Sequence, residues 1–503
     1  MDLTDWDDAS LDRPDLVQHP TTRDEWLVAL DRYLHARNDL PLLRCLDVVL
    51  ANGASTLVIE RRYFDIDYRS EYSTYFSRLF ESIPDTAHRL HFFAGRVTRE
   101  QLGVIDAGHG YLGYIVIRPT DKGPISRAML RPPEDIEEEI RASVAEQVSF
   151  FGEYLEVKGV PFTQQDTQLG ACAHAAAWIC HFAASLRGDA TRRPRAEFIN
   201  MVNPSLSLER AFPTSGLNVG QLSDLFRTTG LPSIFYALGQ LPTDRLPWQP
   251  STPTDPGRLP DGTRPPAGTW DHGVVPILTR FLNSGYPVLV GTQNHAFVVC
   301  GYRRSPSRDG WIDFFRNDDQ RGPYMLVENV IKDKDQTPWS TLHVPLPEKI
   351  WLGPEAAERL GGLALVGVSA RLRDQVQTLY GGSVESLQDL IDDDRLALKT
   401  YVTRSNDFKA QLSERLMPEG MVRAYRLVGL SRFVWVVEAV DRALRAAGDP
   451  CVLGQAIYDS TSDDTEPNLI GLDVHGVVWP RPREGVPTLT PTGPYLSGAV
   501  GPP

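Results

Sequence analysis

The chain has 503 residues, a formal net charge of −14, 42% hydrophobic and 23% charged residues, a balance that suits a globular protein with apolar material for two or three domains. Its acidity argues against a nucleic-acid partner or an anionic membrane surface, because phosphate binding needs clustered Lys and Arg. The acidic opening MDLTDWDDAS does not read as a secretory signal, and no run of 18 apolar residues suggests a membrane span, so a cytoplasmic location is expected.

In chain order, residues 1–158 read as a first α+β region. Helical spacing runs over Arg23 to Ala36 and Pro41 to Ala51, Thr56 to Asp67 alternates like a strand, and Arg69 to Glu81 returns to helical spacing. Arg89 to Phe93 and Tyr111 to Arg118 read as strands, the second stopped by Pro119. Residues 159–370 form a second region. It opens on a polar approach, PFTQQDTQLGA, followed by an alanine-rich helix from Cys172 to about Ser185. The basic stretch Thr191 to Arg195 reads as a solvated turn. A proline-rich insertion over 241–266 excludes helix and central strand. Then come a helix over Val274 to Leu282, a short strand over Pro287 to Gly291, and two runs, His295 to Tyr302 and Gly310 to Arg316, expected to pair as antiparallel neighbours. A third α+β region, 371–480, carries a helix at Ser383 to Asp392, strands at Ser431 to Val437 and Val452 to Tyr458, and a helix over Glu438 to Ala447 between them. The Pro/Gly/Thr-rich tail 481–503 reads as irregular.

Five cysteines (Cys45, Cys172, Cys180, Cys300 and Cys451) are scattered without CxxC spacing, which fits reduced thiols and not a disulfide framework. Without Cys/His doublets at ligand spacing, neither a metal nor another cofactor is called for. Of the five, Cys172 has the chemically distinctive setting. It begins a helix, where the macrodipole and unpaired backbone N–H groups stabilise a thiolate and offer one donor to an oxyanion. Gln164, Gln165 and Gln168 lie just upstream, and a side-chain amide there could complete an oxyanion hole. His295 starts a strand after the short loop GTQN, a position from which an imidazole can face a cleft. His174 and His181 share the helix of Cys172 and should point away from it. The next strand ends in Asn317-Asp318-Asp319, so Asn317 or Asp318 could hold the second ring nitrogen of His295.

The order of these residues resembles the papain superfamily. The stretch FLNSGYPVLVGTQNHAFVVCGYRR together with WIDFFRNDD (Phe281 to Arg304 and Trp311 to Asp319) is similar to its bacterial branch of leader-peptide-cleaving peptidases and their relatives. That branch shows helix, glycine, Pro-Val strand, a His-led strand ending in Gly-Tyr, and a strand ending in Asn-Asp-Pro. The chain departs from the pattern with Ala173-His174 after the cysteine, Asp166 where the family glutamine most often falls, and Asp319 in place of the proline. The resemblance implies a helix bearing the cysteine packed on an antiparallel sheet bearing His and Asn/Asp, flanked by other α+β regions. It implies Cys172 as nucleophile, His295 as general base and acid, Asp318 or Asn317 as orienter, and Gln165 or Gln168 as oxyanion-hole donor. The expected activity is hydrolysis of a peptide or isopeptide bond in a protein or peptide substrate. Transglutaminase-like acyl transfer and a catalytically degenerate binding scaffold stand as alternatives, and the oligomeric state is left open.

Overall fold

A computed structural model of the chain describes residues 6–8, 13, 15–33, 39–80, 82–105, 109–120, 123–165, 172–202, 216–241, 244–249, 273–306, 311–327, 339–380, 385–480, 488–489 and 494–498. Gln168, most of the proline-rich insertion and most of the tail lie outside them. The fold is α+β with antiparallel sheets. Among the described residues, no helix is long and apolar enough to cross a membrane.

Contacts group the chain into two compact units, residues 1–237, 259–262 and 286–347 in the first, and 238–258, 263–285 and 348–503 in the second. In the first unit, strands β1 (Val17–Gln18), β2 (Thr56–Tyr63), β3 (Ala87–Phe93), β4 (Tyr111–Ile117) and β5 (Ile125–Leu130) form one sheet in sequence order. The three helices among these strands each start where a side chain satisfies otherwise orphaned backbone N–H groups. Thr22 closes a capping box with Glu25 on α1 (Arg23–Leu30). Asp39 caps α2 (Leu40–Ala51), which carries Pro41 in its first turn, and Asp65 caps α3 (Ile66–Thr74). The chain then forms the hairpin β6 (Val144–Phe150) and β7 (Glu153–Gly159).

Helices α4 (Cys172–Leu186), α5 (Arg195–Asn200) and α6 (Val219–Thr228) follow, and the second sheet takes the order β12-β11-β10-β9-β13-β8. Its strands are β8 (Ser233–Ala237), β9 (Val288–Thr292), β10 (Ala296–Arg304), β11 (Ile312–Asp318), β12 (Gly322–Val327) and β13 (Trp339–Pro345). As the sequence predicts, β10 and β11 are antiparallel neighbours, with Val298 opposite Asn317 and Tyr302 opposite Phe314. Ala173 to Ala184 of α4 are all buried, His174 and His181 included. Its small residues Ala173, Ala176, Ala177 and Cys180 pack in one core with Leu289, Val298 and Cys300 of the sheet. Gly301 is required behind this contact. A Cβ there would stand 2.3 Å from the Glu139 carbonyl oxygen, and the chain uses that closeness to pair Tyr302 N–H with Glu139 O at 3.0 Å. The same apolar core includes Trp26, Leu57 and Phe92 from the first 158 residues, so the first two sequence regions share one unit.

In the second unit, α7 (Val275–Asn283) joins α8 (Pro354–Tyr380), α9 (Leu387–Asp392), α10 (Ser405–Gln411), α11 (Glu419–Leu427) and α12 (Arg442–Ala447). Its sheet runs in sequence order through β14 (Leu396–Arg404), β15 (Phe433–Asp441), β16 (Val452–Asp459), β17 (Leu469–Val474), β18 (Val477–Pro480) and β19 (Thr488–Leu489). Two expectations are corrected here. The boundary expected between residues 370 and 371 falls inside α8. Glu438 to Asp441 belong to β15, not to a helix, because the Asp441 side chain caps Ala443 and Leu444 and so starts α12 one residue later. A third correction concerns the basic stretch near residue 195. Arg192 pairs with Asp67, and buried Arg195 binds Glu71 at 3.0 Å, so these arginines bind α3 and are not a solvated turn.

Candidate active site

Cys172 opens α4 and is partly exposed, whereas Cys45, Cys180, Cys300 and Cys451 are buried. His295 sits in the tight turn between β9 and β10. Thr292 N–H donates to the His295 carbonyl at 2.8 Å, and His295 N–H donates to Thr292 Oγ1 at 3.0 Å. These bonds fix the backbone from which the imidazole projects. Although they are separated by more than a hundred positions in the chain, the Cys172 thiol and the His295 ring come close enough that the thiol is among the groups raising the ring's proton affinity.

The other side of the ring faces β11. Asp318 Oδ1 stands 3.1 Å from His295 Nε2. Asp318 Oδ1 also accepts the Gln320 backbone N–H at 3.0 Å, and Arg316 Nε lies 3.6 Å from Oδ2. Burial opposes the ionised form of Asp318, but the His295 hydrogen bond and charge, with Arg316 and the Gln320 N–H, hold its carboxyl below the ordinary value. His295 shows the reciprocal effect. Burial lowers its proton affinity, yet the bonds to Asp318 and Cys172 and the carboxylate charges raise its pKa to about 10. With Nε2 held by Asp318, Nδ1 is the nitrogen left to exchange a proton with sulfur. Gln320 Nε2 approaches it to 3.4 Å.

This geometry decides between the two residues that the sequence left open. Strand alternation sends Arg316 and Asp318 to the His295 face and Asn317 to the other. Asn317 is buried and structural: its side chain donates to Pro161 O at 3.0 Å and accepts Tyr324 N–H at 3.0 Å. Asn317→Ala is therefore expected to lower stability by about 1–3 kcal/mol in urea unfolding while iodoacetamide still alkylates Cys172. Lost alkylation at full stability would instead place Asn317 in the site.

Among the glutamines, Gln164 is committed to the scaffold, with Oε1 accepting Ile125 N–H at 3.3 Å and Nε2 reaching Asp39 Oδ2 at 3.2 Å. Gln165 is partly exposed at the end of the described approach to Cys172, and Gln168 lies outside the described residues. His174 and His181 are buried on α4. Burial, with Arg192 and Arg193, pushes His181 down to about 4.

Sequence reasoning missed three side chains of the site: Arg316, Asp319 and Gln320. Arg316 was findable, since it lies two residues before Asp318 and so on the same strand face. Asp319 and Gln320 follow the end of β11, where alternation no longer assigns a face. Asp319 Oδ1 lies 3.8 Å from His295 Nε2. Ligand atoms of His295, Asp318 and Asp319 fall within 4.8 Å of one another. Asp318 Oδ1 is engaged there by both the ring and the Gln320 N–H. No family model matches the chain, and no curated protein is significantly similar to it.

Proposed function

We propose that the chain is a papain-like cysteine hydrolase that cleaves a peptide or isopeptide bond in a protein or peptide substrate. One observation carries this reading: Cys172 at a helix start, His295 at a strand mouth and Asp318 at the end of the neighbouring strand converge, with Asp318 Oδ1 3.1 Å from His295 Nε2 and the thiol among the groups that raise the ring's proton affinity. Each member suits its role. The thiol can pass its proton to Nδ1 of His295, and a sulfur anion beside an imidazolium is the nucleophilic form. Sulfur attacks the substrate carbonyl carbon, the oxyanion gathers backbone N–H at the helix start, and Gln165 or Gln168 is the side-chain donor assigned there. The C–N bond then breaks as the His295 Nδ1 proton passes to the leaving amine. Water, deprotonated by the now neutral ring, releases the acid from the thioester and restores the thiol. Throughout, Asp318 holds the imidazole in the orientation and tautomer these transfers require.

The test is digestion of a mixed peptide library with and without a primary amine, with products identified by mass spectrometry. Free carboxyl termini that disappear with Cys172→Ala support hydrolysis. Amide products at the expense of acids would replace the proposal with acyl transfer, and products unchanged by Cys172→Ala would end it.

A further inference from the structure

Asp319 is the one group in the site that neither the fold nor the proposed chemistry accounts for. Its side chain is 1% exposed, and among the described residues no other residue donates a hydrogen bond to either carboxylate oxygen, the residue's own backbone N–H being the group that favours its ionised form. A buried ionised carboxylate in that state is costly. Its surroundings are mixed in sign. His295 approaches from the β9–β10 turn at 3.8 Å, and Arg195 of α5 adds a favourable charge. Asp318, the preceding residue, is a like charge already paired with both His295 and Arg316. Cys172 of α4 also acts on the ring and raises its proton affinity. Two carboxylates on one imidazole edge are too many for one cation, and the outer one resists ionisation.

Building on the hydrolase reading, we infer that Asp319 is a second positioning residue for His295, and that it tunes the ring as a proton donor. As a neutral acid it fills the ring's outer flank without charge and leaves Asp318 as sole counter-ion. When its proton leaves for solvent, a second negative charge holds the Nδ1 proton more tightly, and transfer to a leaving amine slows. Burial and the Asp318 charge, against the attraction of His295 and Arg195, bring the Asp319 carboxyl up to about 7, so the change falls within a physiological span. The proposed activity then declines on the alkaline side for a reason seated in Asp319.

The ring can be watched directly in protein carrying isotope-labelled histidine, in excess EDTA, with His295 assigned by its absence in His295→Gln. In the unmodified protein the His295 resonance should move in two steps, near pH 7 and again near pH 10. In Asp319→Asn the first step disappears and the second falls by about one unit or more. A single step in the unmodified protein overturns the proposal, as does an unmoved midpoint in both Asp319→Asn and Asp319→Ala; the unmodified protein decides the matter even where a variant fails to fold. Failure of the hydrolase reading looks different: Cys172 would alkylate no faster than an unfolded thiol while the two ring steps persist.

Discussion

His295→Ala is expected to slow alkylation of Cys172 by iodoacetamide at pH 6 by roughly tenfold to a hundredfold, and to cut peptide hydrolysis by about 10² to 10⁴. The first figure follows from thiol chemistry. Without the ring the sulfur loses the imidazolium that would accompany its anionic form, and the weaker intrinsic nucleophilicity of a stabilised thiolate takes back part of that loss. The second, larger figure adds proton delivery to the leaving amine, which alkylation does not need. Asp318→Asn should show a smaller loss in both, because the ring stays in place but loses its counter-ion. Mass spectrometry of the native protein should find the label on Cys172 alone, since the other four thiols are buried. Equal rates in wild type and His295→Ala would dissolve the couple. The same ring contributes to stability with a defined sign. Its proton affinity is raised on folding, from 6.5 to about 10, so the stabilisation is fully present below pH 6.5 and is lost as pH rises through about 10. Urea unfolding of His295→Ala should therefore show its largest deficit at pH 6 and little beyond pH 10.

Glu71→Ala is expected to destabilise the first unit by about 3–5 kcal/mol. Glu71 is fully buried and lies between two arginines, Arg118 Nη1 at 2.8 Å from Oε2 and Arg195 Nε at 3.0 Å from Oε1. Removing it leaves two buried cations facing each other, and neither can shed its charge. The effect should reach the site. Arg118 Nη2 also donates to the Gln164 carbonyl at 2.9 Å, and Arg195 Nη1 to Thr163 Oγ1 at 2.7 Å. These bonds anchor the polar segment that leads toward Cys172. Thermal unfolding measures the first effect, and Cys172 alkylation in the folded population measures the second. A variant within about 1 kcal/mol of wild type would mean that water replaces the carboxylate, contrary to its complete burial.

The contrast between these two arrays shows what could be read from the residues. Helix α4, strands β9, β10 and β11, and the antiparallel pairing of the last two follow the expected ranges within a few residues, because local periodicity and nearby Gly and Pro set them. Helix α8 was missed for an equally local reason. Gly361, Gly362 and Gly367 dilute its pattern, yet glycine is needed there: a Cβ at Gly361 would meet Val437 at 2.8 Å, and one at Gly362 would meet Trp248 at 2.4 Å. Close packing, invisible in a window of sequence, overrode propensity.

By itself, the order of residues determined the elements of the site and the chemical types they carry: a thiol at a helix start, an imidazole at a strand mouth, carboxylates at a strand end. Only the tertiary structure decided which of them meet. Strand alternation and the pairing of β10 with β11 turned Asp318 toward the ring and Asn317 into the core, packing buried Gln164, and the end of β11 brought Asp319 beside its neighbour. The reason is that a side chain's type is local, whereas its partner is chosen by the register and closeness of elements far apart along the chain.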